Sequence, residues 1–404
     1  MQMLEPALWR PVYEPIIRPR VRSLTANWGT SLEGAIRGVV APDVWYDPSD
    51  LSSLFQDSAG TTPVTALEQP VGLMMDKSRG LVPGSELVVN GDFSNGTTGW
   101  TGAGDSFSIS GGVATLARTT TFTYYQGVAF NVTAGRAYWV TGTWLRSSGT
   151  GHATVQIRDN AGGAVRFQQD ASPGTAFQTF QFLWTPTATE SVYVRVGVVN
   201  AAATVQFDLV SVRELPGYHA TNIPGDTTTR PVTKAGVLLN FDGANDGMVS
   251  STGGGATSGF AFITAIKLQG GSKTQTVFSD AGTNAGFRVR INSSNQLELS
   301  AGNGSTFVSA ATTDTLSVGT TAVIAAWHDG VNLNVQVNNG TVAQQSLAAA
   351  TAGTAGFTLG RDNGAASSFM QAQTSAMLYA KKVLTASQIA VAKRYCAQKS
   401  GVAL

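Results

Sequence analysis

The chain is predicted to be an all-β protein of two β-sandwiches, and three observations lead to this prediction. Segments such as FNVTAGRAYWVTGTWLR, HATVQIRD and ESVYVRVGVV alternate apolar and polar residues with the period of a half-buried strand. Gly, Asn, Pro and Ser separate these segments at short, regular intervals, as in antiparallel sandwiches. Charged residues make up only 13% of the chain while glycine reaches 46 residues, so neutral polar side chains cover the solvent faces.

The first 40 residues are predicted to form an extended docking arm. Proline recurs at positions 6, 11, 15 and 19, which disfavours a helix and favours extended backbone. Large apolar residues stand between these prolines, although a disordered tail rarely carries them. Two interpretations remain: a strap across the chain's own domains or, as we favour, an arm that docks on another protein. The docking residues would be Trp9, Tyr13, Ile16 and Ile17.

Charge and composition disfavour several classes of protein. The net charge of +1 creates no field that would attract nucleic acid or anionic lipid. No stretch is long and apolar enough to span a membrane, and MQMLEPALWRPVYEP lacks the apolar run of a signal peptide. The single cysteine, Cys396, excludes an intrachain disulfide. We therefore expect a protein that is made in the cytoplasm and not exported by a signal peptide.

Two runs of strands and one helix follow the arm. The first run extends from Glu86 to Leu215, and the second begins after Pro216. The helix is predicted over residues 385–399, with Thr385 as its N-cap and Gly401 ending it. The predicted architecture is therefore all-β with one closing helix.

The outer segments resemble the laminin-G-like, concanavalin-type jelly rolls of bacteriophage structural proteins. The resemblance rests on VWYDPSDLSSLFQDSAGTTPV, DKS, GYHATNIPGDTTTRPV, LLNFDGANDGM, FTLGRDNG and the closing helix. In that family the DKS and HAT motifs lie in one continuous stretch of sequence. Here that stretch is interrupted after Gly80 and resumes at Gly217. The resemblance implies one discontinuous β-sandwich made of residues 41–80 and 217–404.

The segment 84–215 resembles carbohydrate-binding modules of families 4 and 9. The resemblance rests on ELVVNGDFSNGTTGW, VTAGRAYWVTGTW and VQFDLVSVREL. The first and last strands of that jelly roll lie near each other, so such a module can enter a loop of another domain without separating its strands. We therefore expect the second sandwich to be inserted into a loop of the first.

Strand alternation in the inserted segment selects candidate glycan-binding residues. The neighbours of Trp139 on its strand are predicted to point inward, so alternation places Trp139 on the outer side. On two other strands the same alternation directs four polar or aromatic side chains outward: Gln156, Arg158, Tyr193 and Arg195. Aromatic rings and polar side chains on a rigid sheet are suited to sugars. The alternative is that these side chains pack beneath a loop or against the other domain.

The resemblance to carbohydrate-binding modules also implies a structural calcium ion near Asp92 and Asp208, although two carboxylates by themselves do not define such a site. No cofactor is otherwise expected. No nucleophile or metal motif appears in the sequence, and the strand QLELSAG carries only Glu298 where a glycosidase needs two carboxylates. We therefore expect no enzymatic activity.

The resemblances together imply a virion structural protein of a tailed phage. It would attach through its arm to other virion proteins of the tail, baseplate, neck or head, with tail or baseplate favoured, and bind a cell-surface polysaccharide. A purely architectural or decoration protein without glycan binding is the alternative, and a glycan-degrading enzyme is a third. The virion is the expected location, and a homo-oligomer remains open.

Overall fold

The computed structural model describes residues 31–222, 228–236, 238–257, 259–363 and 368–404. The predicted docking residues Trp9, Tyr13, Ile16 and Ile17 lie outside these ranges. The described chain is all-β with one long helix at its C-terminal end, as the sequence predicts. Within the same ranges, no helix has the length and apolarity needed to cross a membrane.

The described strands are numbered in chain order. The first three are β1 (Val44–Tyr46), β2 (Leu54–Phe55) and β3 (Leu73–Met74). Residues 84–215 contain β4 (Trp100–Ala103), β5 (Ser106–Ser110), β6 (Val113–Arg118), β7 (Thr123–Gly127), β8 (Phe130–Val132), β9 (Ala137–Gly149), β10 (His152–Asp159), β11 (Val165–Ala171), β12 (Gln178–Trp184), β13 (Glu190–Val199) and β14 (Ala203–Leu215).

The remaining elements follow residue 217. They are β15 (Ala220–Asn222), β16 (Val232–Lys234), β17 (Leu238–Asp242), β18 (Met248–Ser250), β19 (Phe260–Leu268), β20 (Gln275–Ser279), β21 (Phe287–Ile291), β22 (Gln296–Gly302), β23 (Phe307–Thr315), β24 (Thr321–His328), β25 (Asn332–Val337), β26 (Ala343–Ser346), β27 (Phe357–Leu359) and β28 (Gln371–Ala380). Two helices, α1 (Leu32–Ala35) and α2 (Ala386–Ser400), stand at the ends of the described chain.

Strands that precede residues 84–215 in the sequence and strands that follow them together form two sheets, which we call the host sandwich. Sheet I has the order β16-β17-β28-β19-β24-β25-β26, and β1 also pairs with β28. Sheet II has the order β2-β3-β15-β18-β27-β20-β21-β22-β23. Alternation on β1 sends Val44 and Tyr46 into the core between the sheets and Trp45 to the opposite side. The host sandwich is therefore built from two separate pieces of sequence.

Residues 84–215 form two further sheets, which we call the insert sandwich. Sheet III has the order β12-β9-β14-β6-β5. Sheet IV has the order β11-β10-β13-β7-β4, and β8 also pairs with β13. A core of aromatic and β-branched side chains fills the space between them, with Trp144, Phe182 and Phe207 among the largest. The insert sandwich therefore has a hydrophobic core of its own.

The two pieces of the host sandwich meet at the buried carboxylate of Asp76. One oxygen accepts hydrogen bonds from the backbone N–H groups of Trp45 and Ser78, each at 2.8 Å. The other accepts from the backbone N–H of Tyr218, also at 2.8 Å. A single side chain thus joins the segment before the insert sandwich to the segment after it.

The chain leaves and re-enters the host sandwich at one place. The backbone N–H of Gly84 donates to the carbonyl of Glu214 at 2.7 Å. Nearby, the Nδ1 atom of buried His219 accepts a hydrogen bond from the backbone N–H of Asp76 at 3.0 Å. The ring proton therefore lies on Nε2, which donates to the carbonyl of Leu215 at 3.2 Å. Burial lowers the pKa of His219 and favours this neutral form. The DKS and HAT motifs, which are 143 positions apart at Asp76 and His219, therefore adjoin in space.

Helix α2 closes the outer side of sheet I. Thr385 accepts a hydrogen bond from the backbone N–H of Gln388 as its N-cap, and Gly401 ends the helix in the left-handed conformation at φ 72°. Ile389 and Cys396 are buried against sheet I. Burial raises the pKa of the Cys396 thiol, which makes it an inert apolar group.

The arm predicted over residues 1–40 is too long at its C-terminal end. Residues 32–40 form α1 and a following π-helical turn, and Ile36 and Val40 are fully buried against α2 and sheet I. The prolines that favour extended backbone stop at Pro19. Leu32, Ile36 and Val40 follow at a spacing of four residues, which places them on one face of a helix.

The loop after β20 contains a carboxylate whose burial makes stability depend on pH. Asp280 accepts backbone hydrogen bonds from Phe287 at 2.7 Å and Gly255 at 2.8 Å, and burial raises its pKa from 3.8 to about 6. Because the folded state binds this proton more tightly than the unfolded state does, the stabilisation is complete below pH 3.8 and is lost as the pH rises through 6.

We therefore expect the stability difference between the wild type and Asp280→Asn to change with pH. Between pH 7.5 and pH 4, the free energy of unfolding of the wild type should rise relative to that of the variant by about 2 kcal/mol. Urea unfolding at several pH values measures this change. A difference that stays constant across the range would contradict a raised pKa at Asp280.

Candidate functional site on the outer face of sheet IV

Four of the five glycan-binding candidates lie together on one sheet. Gln156 and Arg158 stand on β10, and Tyr193 and Arg195 stand on the adjacent β13. The residues that alternate with them are buried between the sheets; they are Val155, Ile157, Val192, Val194 and Val196. The four candidates therefore share the outer face of sheet IV.

Trp139 does not belong to this group, and its assignment to an open glycan-binding face is wrong. It stands on β9 of sheet III, the opposite sheet of the insert sandwich. Its ring centroid lies 5.6 Å from that of Phe55 in the host sandwich, and Leu73 and Leu183 belong to the same apolar cluster. Alternation correctly assigns Trp139 to the outer side of its strand, but the host sandwich covers that side.

A row of polar residues crosses sheet IV at right angles to its strands. Cross-strand pairing places Gln168 of β11 opposite Gln156, Gln156 opposite Arg195, Arg195 opposite Gln126 of β7, and Gln126 opposite Thr101 of β4. We call these residues the polar row. Because paired side chains project to the same face of a sheet, they form one continuous polar strip.

Hydrogen bonds hold the side chains of the polar row in position. The Gln156 amide donates to Gln168 Oε1 at 2.9 Å and accepts from Arg158 Nη1 at 2.9 Å. Farther along, Arg195 Nη2 donates to Gln126 Oε1 at 2.8 Å. Side chains fixed in this way lose little rotamer entropy when a ligand binds, so the strip is pre-organised.

An aromatic pair flanks the polar row. The Arg195 guanidinium carbon lies 3.9 Å from the ring centroid of Tyr124, and the Phe122 ring lies 5.2 Å from the Tyr124 ring. Both aromatics are partly exposed. Tyr193, in contrast, is only 5% exposed, and its hydroxyl accepts from Arg195 Nη2 at 3.4 Å. Phe122 and Tyr124, rather than Tyr193, therefore offer rings to a ligand.

Sequence reasoning missed Tyr124 and Gln126, although a local signal existed. The stretch TFTYYQG alternates in the same way as the neighbouring strands, and its Tyr125 is buried in the core. Tyr124 and Gln126 therefore belong on the outer face by parity. That they stand beside Arg195 depends on which strands pair, which the local pattern does not specify.

Three buried polar atoms of this face make no hydrogen bond. They are Thr154 Oγ1, Arg158 Nε and Arg195 Nε. A buried polar group without a partner costs about 1–3 kcal/mol. Arg288, Arg290 and Arg361 of the host sandwich likewise keep an Nε that makes no hydrogen bond, so these atoms by themselves do not mark the face as a binding surface.

The carboxylates that would hold calcium are close enough to interact. Asp92 accepts from the hydroxyl of Ser94 at 3.0 Å, and Asp208 accepts from the backbone N–H of Leu209 at 2.6 Å. Burial, together with repulsion from Asp92, raises the pKa of Asp208. The described residues contain no group of three or more His, Cys, Asp or Glu suited to one ion, whereas calcium takes six to eight oxygens. Calcium at Asp92 and Asp208 stays a prediction.

His328 and Glu298, two further side chains of types that often carry chemistry, take part in the fold. His328 is buried; its Nδ1 accepts from the backbone N–H groups of Gly259 and Gly330, and its Nε2 faces the carbonyl of Leu347 at 2.6 Å. Glu298 forms an ion pair with Arg290 on sheet II. The absence of enzymatic activity stays a prediction.

No family model matches the chain, and no curated protein matches it. Among solved structures, the chain is similar to one described as "CBM4 structure and function", with 19% identity over 31% of this chain and 99% of that chain, at a TM-score of 0.28. It is also similar to the binding domain of botulinum neurotoxin serotype D, with 13% identity over 45% of this chain and 47% of that chain, at a TM-score of 0.35.

A third similar structure is the heptameric SAP-like pentraxin of Limulus polyphemus. The identity is 16% over 38% of this chain and 79% of that chain, and the TM-score is 0.31. At TM-scores this low, the likeness to the three structures assigns neither a family nor a function to this chain.

Proposed function

We propose that the insert sandwich binds an oligosaccharide on the outer face of sheet IV. The observation that carries the proposal is the polar row, whose amide, guanidinium and hydroxyl groups lie in register across five strands. Sugars present hydroxyl groups at regular intervals, and side-chain amides can donate to and accept from each of them. A pre-organised row of such groups fits an extended saccharide chain.

The aromatic pair supplies the apolar part of this recognition. Phe122 and Tyr124 lie beside the row, and the C–H face of a sugar ring can pack against a partly exposed aromatic ring. Because the guanidinium of Arg195 already lies over Tyr124, the ring is held in one orientation. Packing would bring the sugar hydroxyls to the partly exposed Gln126. Gln156, which is only 5% exposed, instead holds Arg158 and Gln168 in position.

The larger setting that the sequence resemblance implies is a tailed-phage virion. In this proposal, residues 1–30 anchor the chain to other virion proteins, and the insert sandwich contacts a cell-surface polysaccharide. Many copies on one particle would raise a modest affinity through multivalency. The architectural alternative shares this setting but assigns no ligand to the polar row.

A glycan array probed with the full chain tests binding. We expect signal from the wild type and about a tenfold weaker affinity for Tyr124→Ala, because the sugar loses its aromatic contact. Phe177→Ala is the matched control, since Phe177 is exposed and precedes β12 on the opposite sheet. Thermal unfolding of each variant separates loss of binding from loss of fold.

The architectural alternative makes the opposite prediction for the same array. It expects no glycan-dependent signal from the folded wild type at any concentration tested. Equal signals from the wild type and Tyr124→Ala would place binding elsewhere and would also contradict the proposal.

A further inference from the structure

Two arginines on the outer face of sheet IV are positioned without an acidic partner. Cross-strand pairing sets Arg158 opposite Tyr193 and Arg195 opposite Gln156, so the arginines stand on adjacent strands as diagonal neighbours two positions apart in the register. The hydrogen bonds of Arg158 and Arg195 go to the neutral groups of Gln156, Gln126 and Tyr193. Among the described residues, no carboxylate lies within ion-pairing distance of either guanidinium.

Two other partly buried arginines, both on sheet II, have carboxylate partners. On sheet II, Arg288 lies 3.5 Å from Asp362, and Arg290 forms its ion pair with Glu298. Because removing a charge from water is costly unless a counter-charge replaces it, such pairing is the expected arrangement. In the part of the chain that the structure describes, Arg158 and Arg195 lack such a partner, as Arg118 and Arg146 also do, but they differ from those two in standing on adjacent strands of one sheet.

The acidic residue that shares their face is already engaged. Asp170 of β11 stands opposite Thr154, and both of its carboxylate oxygens accept from the Gln168 amide, at 3.0 and 2.8 Å. Asp170 is exposed, so water also screens its charge. It therefore leaves the positive charge of the two arginines uncompensated.

The two guanidinium groups also act on each other. Burial, and the positive charge of Arg158, lower the pKa of Arg195. Both groups keep a buried Nε–H that makes no hydrogen bond, as Arg288, Arg290 and Arg361 do in the host sandwich, but here the two lie on neighbouring strands. Two like charges and two unused donors in one place form a site that an anion would stabilise, because it would satisfy the donors and neutralise the repulsion.

We propose that the saccharide bound by the polar row is acidic and that its carboxylate binds between Arg158 and Arg195. This inference rests on the function proposed above and names the ligand class of the same site. A guanidinium presents parallel N–H donors that match the two oxygens of a carboxylate. A neutral sugar would leave both charges uncompensated, so the site selects against it.

The test is an array of oligosaccharides containing uronic or sialic acids, printed beside the same oligosaccharides after their carboxyl groups have been reduced to alcohols. The full chain is applied as the wild type, Arg158→Gln, Arg195→Gln and Arg118→Gln. Arg118 lies on β6 of the opposite sheet, so its replacement removes the same charge at a distance from the polar row.

We expect the wild type and Arg118→Gln to bind the acidic oligosaccharides and to lose about tenfold or more in affinity for the reduced forms. Arg158→Gln and Arg195→Gln should bind the acidic forms about tenfold more weakly while melting as folded proteins. Arg195→Lys should recover part of the affinity, because it restores the charge without the planar fork. Added salt should weaken wild-type binding to the acidic forms.

Equal binding of acidic and reduced forms, or binding restricted to neutral glycans, would overturn the acidic ligand while leaving the proposed glycan binding in place. The absence of binding to every glycan would instead overturn the proposed function itself. The two failures are therefore distinguishable in one experiment.

Discussion

Asp76→Ala is expected to lower the free energy of unfolding of the host sandwich by about 4 kcal/mol. The substitution leaves the backbone N–H groups of Trp45, Ser78 and Tyr218 without an acceptor. A buried donor that loses its partner costs about 1–3 kcal/mol, and the donor of Trp45 is buried while those of Ser78 and Tyr218 are partly buried. Chemical denaturation monitored by tryptophan fluorescence measures the loss.

Asp105→Ala is the matched control for this prediction. Asp105 also accepts three backbone hydrogen bonds, from Thr119, Thr120 and Thr121, which hold its pKa well below the usual value. Asp105 is exposed, however, so water replaces the lost acceptor and the cost should be much smaller. A similar loss in both variants would contradict the role assigned to burial at Asp76.

Trp139→Ala is expected to uncouple the unfolding of the two sandwiches while leaving glycan binding unchanged. The Trp139 ring packs against Phe55 and over Gly60 of the host sandwich, where a Cβ on Gly60 would lie 3.2 Å from it. Because this ring is partly exposed, we expect a loss of about 2–3 kcal/mol, below the cost of truncating a fully buried tryptophan.

Calorimetry checks the uncoupling, with one merged transition expected for the wild type and two separated transitions for Trp139→Ala. Phe55→Ala supplies the second side of a double-mutant cycle, and the coupling between the two rings should be about 1 kcal/mol. Loss of glycan binding in Trp139→Ala, with the fold retained, would show that this residue contacts the ligand after all.

The contact at Trp139 also bears on where a ligand can bind. Sheet III turns part of its outer face towards the host sandwich through Trp139 and Leu183, next to Phe55 and Leu73. Sheet IV faces the other way, because the two sheets of a sandwich share one core between them. The polar row therefore lies on the side of the insert sandwich that is turned away from the host sandwich.

The sequence predicts the features that depend on neighbouring residues along the chain. Period-two alternation correctly separates Val155 and Ile157, which are buried, from Gln156 and Arg158 on the outer face. The helix ends at Thr385 and Gly401 follow from capping chemistry, which is also local. These predictions succeed because side-chain direction and cap formation are decided within one or two turns of backbone.

The tertiary structure decides which faces meet and which remain open. Trp139 and Tyr193 have the same outward parity, yet they belong to different sheets, and the host sandwich covers Trp139. The polar row exists because the strand register aligns Gln126 with Arg195, which stand 69 positions apart in the chain. Strand pairing and domain docking arise from contacts distant in sequence, and a local pattern carries no information about them.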